Sequence, residues 1–306
     1  MVHVSLVQEY FHPWPNSAGF HIARERGLYS AAGIDLELRT VDPYRGDGLA
    51  YLAAREADAA VFPSNRLLVR REQGEPLVAI AAINQRGLET LRTRADSGIH
   101  RLRDLESRRV ALNPTPRGVG IVRALVASDG GDPDAVVLVD AGSRELDPAD
   151  DFGGIADATF GSYWAWDNLL TTLPADQQRV WRVDDALGLH YHSYLLGVHE
   201  QSRDAEPALW EDVHAITAEG FALAAENPDE AADVFDRITP YFPRLIVERS
   251  LELIAPTWFH DEEWGVVRRE LVEPYAQWLA GLGILERPGE WASAFRVPDD
   301  DEELAS

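Results

Sequence analysis

Phe11-His12-Pro13-Trp14-Pro15-Asn16-Ser17-Ala18-Gly19-Phe20-His21-Ile22-Ala23, running on through Gly27-Leu28-Tyr29 to Gly33-Ile34-Asp35-Leu36-Glu37-Leu38, decides how the rest of this chain is read. An apolar strand over residues 4–7 breaks into a loop rich in aromatic and proline residues. A helix over 18–31 and a second strand over 34–38 follow. The prolines fix φ and hold the loop without ladder hydrogen bonds. Phe11, Trp14 and Asn16 then stand where a strand hands over to a helix, and in open α/β sheets ligands settle outside those carboxyl ends. Two aromatic faces and one amide make a cradle for a flat, polar-edged small molecule.

Outward from this stretch, short apolar strands alternate with helical patterns. A helix is expected over 48–55, a strand over 59–62, a helix over 66–73 and a strand over 77–83. A short helix at 102–105 and a strand at 109–112 open a second series, with a helix over 118–127, strands at 136–139 and 158–160, a helix over 164–170 and a strand at 180–183. Residues 187–198 read as a strand returning to the first series. From Pro207 the chain reads as helical, over 209–225, 228–238, 243–253 and 261–282, with a last segment at Trp291. The predicted architecture is α/β with two lobes on mostly parallel sheets and two crossings between them: residues 1–95 plus 188–306 form lobe 1, and 96–187 form lobe 2.

Composition narrows the function. The 306 residues suffice for two cores, and 45% hydrophobic with 26% charged residues is ordinary for a globular protein. A net charge of −24 argues against nucleic acid and anionic membranes as partners. No run approaches the ~20 apolar residues of a membrane span, so membrane insertion is not expected. Cysteine is absent, which removes disulfides, thiolate nucleophiles and thiolate metal sites. Lysine is absent too: all 28 basic residues are arginine, in keeping with GC-rich codon usage. That removes a pyridoxal-phosphate Schiff base and the lysine of a P-loop. No cofactor and no metal site are predicted. The first strand starts at Val2 with no leader ahead of it, so a native Met1 implies a cytoplasmic protein and a trimmed signal an extracytoplasmic one. The acidic run 299–303 reads as a frayed tail.

Candidate ligand contacts lie at four loops. Trp14 and Phe11, with His12 beside them, either stack on a planar ligand or plug the sheet end; Asn16 either reads a ring edge or caps the next helix. Phe62-Pro63-Ser64-Asn65 offers Ser64 and Asn65 as hydroxyl and amide, or as caps. Asn113-Pro114-Thr115-Pro116-Arg117-Gly118 offers Thr115, Gly118 and backbone N–H groups, with Arg117 either holding an acid group or solvated. Gly161-Ser162-Tyr163-Trp164-Ala165-Trp166 offers Gly161, Tyr163 and Trp164, while Trp166 reads as core. Tyr191 and His192 lie at the second crossing, where His190 and His192 alternate along the expected strand and could ligate a metal or act as a base. His21 is expected on a solvated helix face. Residues 147–154 lack calcium-loop spacing and read as an acidic surface turn. Trp258, Trp264, Trp278 and Trp291 read as helix packing.

These segments together resemble the type II periplasmic binding proteins, in the branch of ABC-transporter substrate-binding proteins that includes sulfonate and thiamine-pyrimidine-precursor binders. The carriers are Pro15-Asn16, Gly19-Phe20, Gly27-Leu28-Tyr29 and Gly33-Ile34-Asp35; Ala57-Asp58-Ala59-Ala60; Gln73-Gly74-Glu75-Pro76-Leu77; Ser97-Gly98-Ile99 with Asp104-Leu105; Asp157-Ala158-Thr159-Phe160-Gly161-Ser162-Tyr163-Trp164; and Asn227-Pro228-Asp229-Glu230-Ala231. The resemblance implies a solute-binding protein that clamps a small aromatic or heteroaromatic, pyrimidine-like ligand by hinge closure, with an ABC permease as partner if exported. It also implies an alternative, a cytoplasmic enzyme on the same fold. The pyrimidine-forming relatives use a lysine and a cysteine-rich motif that this chain lacks. The sulfinate-cleaving relatives use a cysteine where His12 stands. An enzyme here would have to work through His12, His192 or Glu9.

Overall fold

The computed structural model describes residues 1–42, 44–142 and 146–295. The acidic run 299–303 lies outside the described residues. The chain divides into two compact units. One comprises Met1–Gln85, His192–Ala280 and the described residues from Leu285 onward; the other comprises Arg86–Tyr191 with Gly281–Ile284. The boundaries thus fall after Gln85 and Tyr191, against the 95 and 187 read from sequence.

Each unit is built on a five-stranded sheet. In the first, β1 (Val2–Val7), β2 (Ile34–Arg39), β3 (Ala59–Pro63), β4 (Leu77–Ala82) and β10 (Tyr194–His199) lie in the order β2-β1-β3-β10-β4. β1 is parallel to β2 and β3, and β10 runs antiparallel to β3 and β4. In the second, β5 (Glu89–Arg94), β6 (Arg109–Leu112), β7 (Val137–Asp140), β8 (Ala158–Tyr163) and β9 (Gln178–Arg182) lie in the order β7-β6-β8-β5-β9, with β5 as the reversed strand. Four strands of each sheet share one direction, and the fifth makes the sheets mixed. Every residue of β4 is buried, the signature of a strand covered on both faces.

The helix Ala18–Glu25 crosses the long helix Pro207–Glu226, with Phe20 edge-on to Phe221 at 5.4 Å. His21 on the first of these helices is buried, bonded to Gln8 and edge-on to Phe235 of the helix Pro228–Ile238, not solvated as the sequence implied. No helix among the described residues is long and apolar enough to cross a membrane.

Several expected elements are interrupted, each for a local reason. The helix over 18–31 ends at Glu25 because Gly27 turns left-handed (φ 73°); Leu28–Ala31 forms a separate turn. Residues 164–170 are not a helix: β8 continues to Tyr163, the Asp167 carboxylate accepts the Tyr163 N–H at 2.8 Å, and only Asp167–Leu169 forms a 3-10 turn. Residues 187–198 are not one strand, since the helix Val183–Leu187 stops at a left-handed Gly188 and pairing begins only at Tyr194. His190 and His192 therefore do not alternate on a strand. The helix over 261–282 starts at Arg269, after a hairpin of Phe259–His260 with Glu263–Trp264. β5 has no counterpart among the strands expected from sequence, since Arg92 and Arg94 break its apolar pattern.

Candidate functional site

In the first unit the carboxyl ends of β1, β3 and β4 and the start of β10 share one end of the sheet. Asn16 is fully buried there. Its Oδ1 accepts from Asn84 Nδ2 at 2.8 Å and from Trp258 Nε1 at 3.2 Å; its Nδ2 donates to Glu9 Oε1 at 2.9 Å and to Asn84 Oδ1 at 3.4 Å. Asn84 also donates to Thr257 at 2.9 Å. Asn16 is thus neither a cap nor an open ring-edge reader; its amide is spent on the network.

The tautomer of His192 follows from its partners. Nδ1 faces the Asn84 carbonyl oxygen at 3.0 Å and must donate; Nε2 faces the Arg268 backbone N–H at 3.0 Å and must accept. The ring is neutral, and burial holds its pKa down to about 4. A base needs a lone pair aimed at substrate, and that of His192 is already engaged. His12 donates from Nδ1 to the Pro13 carbonyl at 2.9 Å, and burial lowers its pKa also. Glu9 moves the opposite way: burial pushes its carboxyl above its ordinary value, while Asn16, its own backbone N–H and Trp14 favour the ionised form. Its Oε2 is buried, with no hydrogen bond of normal geometry among the described residues.

The aromatic residues part company. Trp14 is 1% exposed and Phe62 is buried, so both belong to the core. Phe11 is 57% exposed and stacks on Tyr10 at 4.7 Å and 25°; His12 stands edge-on to both. Phe242 packs on His12 at 4.9 Å, and Tyr241, 63% exposed, on Phe242 at 4.8 Å. Ser64 is buried with its hydroxyl on the His192 carbonyl, and Asn65 is half-buried beside it.

In the second unit the carboxyl ends of β6, β8 and β9 meet the start of β5. Thr115 caps the helix Pro116–Ser128 by accepting the Gly118 N–H at 3.1 Å. Gly118 sits against the Asn113 carbonyl, 2.8 Å from where a Cβ would be. Arg117 is not solvated. Its two terminal nitrogens donate to the two Glu89 oxygens at 2.7 and 2.6 Å, and Tyr191 donates to Glu89 at 2.6 Å beneath the guanidinium. Trp164 is buried, donating from Nε1 to the Gly87 carbonyl at 3.1 Å, and Arg182 lies 3.9 Å over its ring. Tyr163 is half-buried on the same strand end, after Gly161 at φ 126°. His190 joins Asp184 and Asp185, with ligand-type atoms within 4.8 Å, but Arg86 donates to both carboxylates at 2.9 and 2.8 Å and supplies the cation. His192 is no part of that group.

Sequence reasoning missed Asn84, Trp258, Arg268, Glu89, Arg86 and Arg182. Each acts through a partner distant in sequence. A usable signal existed for Asn84 alone, an amide directly after the apolar run of β4.

No curated protein matches the chain by sequence. Among solved structures, the periplasmic aliphatic sulphonate binding protein SsuA of Escherichia coli is 14% identical, with 97% of this chain and 93% of that one aligned and a TM-score of 0.76. The alkanesulfonate-binding protein SsuA of Xanthomonas axonopodis pv. citri, bound to MOPS, is 14% identical over 97% and 99% of the two chains, with a TM-score of 0.71. The desulfurization enzyme DSZB is 15% identical over 94% and 96%, with a TM-score of 0.61. At these identities the likeness is one of fold, the two-lobed fold of periplasmic binding proteins. The family described as NMT1/THI5 like matches residues 14–231, from the Trp14 loop through both sheets to the helix Pro228–Ile238, and the chain belongs to that family.

Proposed function

We propose that this protein binds a small aromatic or heteroaromatic solute and releases it unchanged, as the binding component of an ABC-type importer whose permease is its partner. The observation that carries the reading is the exposed stack of Phe11 on Tyr10 at the end of β1, continued by Tyr241 and Phe242. Aromatic side chains held half in water present a ready face to a flat solute. The sulfonate-binding proteins that share the fold support the solute-binding part of the reading. The pyrimidine-like ligand rests on the aromatic stack and on the family.

Binding without turnover is favoured by the two histidines. His192 has both nitrogens engaged, and His12 directs its Nδ1 proton to its own chain. The test is a thermal-shift screen of pyrimidines, aromatic acids and aliphatic sulfonates, with mass spectrometry of each stabilising compound after incubation. Stabilisation by aromatic compounds recovered intact supports the reading. Stabilisation by aliphatic sulfonates alone removes the aromatic part, and conversion of a stabilising compound replaces binding with catalysis.

A further inference from the structure

We propose that the end of the second sheet holds the acid group of an anionic solute, a carboxylate or sulfonate on a ring, through Arg182 laid over Trp164. Arg182 is the last residue of β9 and pairs with Thr90, next to Glu89, which pairs with Tyr163. Arg182, Trp164 and the Arg117–Glu89 pair therefore gather at one sheet end. Arg86 and Arg182 both lie over the Trp164 ring, and the neighbouring Arg117 and Arg86 are ion-paired. Arg117 is held by Glu89 at 2.6 Å, and Arg86 by Asp184 and Asp185. The Arg182 side chain has no carboxylate at ion-pair distance and makes no hydrogen bond among the described residues.

Its place is nevertheless fixed. The guanidinium carbon stands 3.9 Å from the Trp164 ring centroid, and that indole is itself tied to the Gly87 carbonyl. A guanidinium lying on an indole keeps its N–H edges in plane and clear of the ring, the geometry that receives a carboxylate or sulfonate through two bonds. Arg86 lies 5.5 Å from the same ring; burial first, and then the Arg86 charge, press the Arg182 pKa downward against the opposing pull of Asp185 and Asp184. The guanidinium of this half-buried residue has no hydrogen-bond acceptor among the described residues, and an acid group arriving there supplies one.

The inference rests on the reading of the chain as a solute binder, and one calorimetric experiment separates the two. The probes are benzenesulfonate, benzoate and the uncharged benzenesulfonamide, titrated into wild type, Arg182→Gln and Arg182→Lys. Expected are a loss of about tenfold or more in affinity for both acids in Arg182→Gln, partial recovery in Arg182→Lys, and sulfonamide affinity unchanged within about twofold. Wild-type affinity for the acids should also fall with added salt while that for the sulfonamide holds; this arm stands even if a variant fails to fold. Equal loss for acids and sulfonamide, no loss for the acids, or salt-independent acid binding overturns the inference and leaves the solute-binding reading intact. Failure of all three probes to bind wild type overturns both.

Discussion

Arg117 grips Glu89 with both arms of its guanidinium, at 2.7 and 2.6 Å, and each side chain is only 14% exposed. Removing one member strands the other charge in a poorly solvated place. Glu89→Ala should therefore cost about 3 kcal/mol of unfolding free energy, whereas replacing both by apolar residues of like volume should cost much less. A double-mutant cycle in urea checks this; additive effects at the two positions would mean the pair is not coupled.

Asn16 serves Asn84, Trp258 and Glu9 at once. Its replacement by alanine leaves several buried polar groups without a partner, each costing about 1–3 kcal/mol. Asn16→Ala should lower the melting temperature more than Asn65→Ala, whose side chain is half-buried and bears no such network among the described residues. Differential scanning calorimetry of the two variants decides it.

Two buried histidines make the fold sensitive to acid. Burial holds His21 at about 3 and His192 at about 4, against 6.5 for a free imidazole. The unfolded chain takes up protons near 6.5 that the folded chain refuses. Stability is therefore full above that pH and declines as pH falls toward 4, by up to about 1.4 kcal/mol per pH unit for each histidine. Urea titrations at pH 7.5, 6 and 5 should show the decline, and His21→Leu should make it shallower.

Glu9 acts in the reverse sense. Its folded pKa is raised by burial, so its contribution is favourable at low pH and is lost as pH rises through that value. Glu9→Gln retains an oxygen for the Asn16 amide and removes the buried charge. It should stabilise the protein at pH 8 by about 1 kcal/mol, with the gain fading near pH 4. A gain independent of pH would sink this account.

Much of the fold was legible because β1, β3, β4, β6 and β8 are short apolar runs bounded by turn residues. β5 escaped because Arg92 and Arg94 interrupt it, and a buried arginine looks like a surface one in sequence. Proline and aromatic patterning is what marks the loops carrying Phe11, Thr115, Tyr163 and Trp164 as candidates. The roles within them are not so marked. Arg117 needs Glu89, 28 residues upstream on a reversed strand, and Asn16 needs Asn84 and Trp258, 68 and 242 residues away. Pairing of this kind is set by tertiary topology, which local periodicity does not encode.

β4 and β10 are neighbours in the first sheet, joined where Leu195 faces Ala82, and the chain departs from one and comes back at the other. Departure and re-entry at adjacent antiparallel strands is the geometry of a hairpin. A short turn grafted between Gln85 and His192 would close that sheet on itself and excise the intervening segment. The residues Gly281–Ile284, which pack with the second unit, would stay behind on the first.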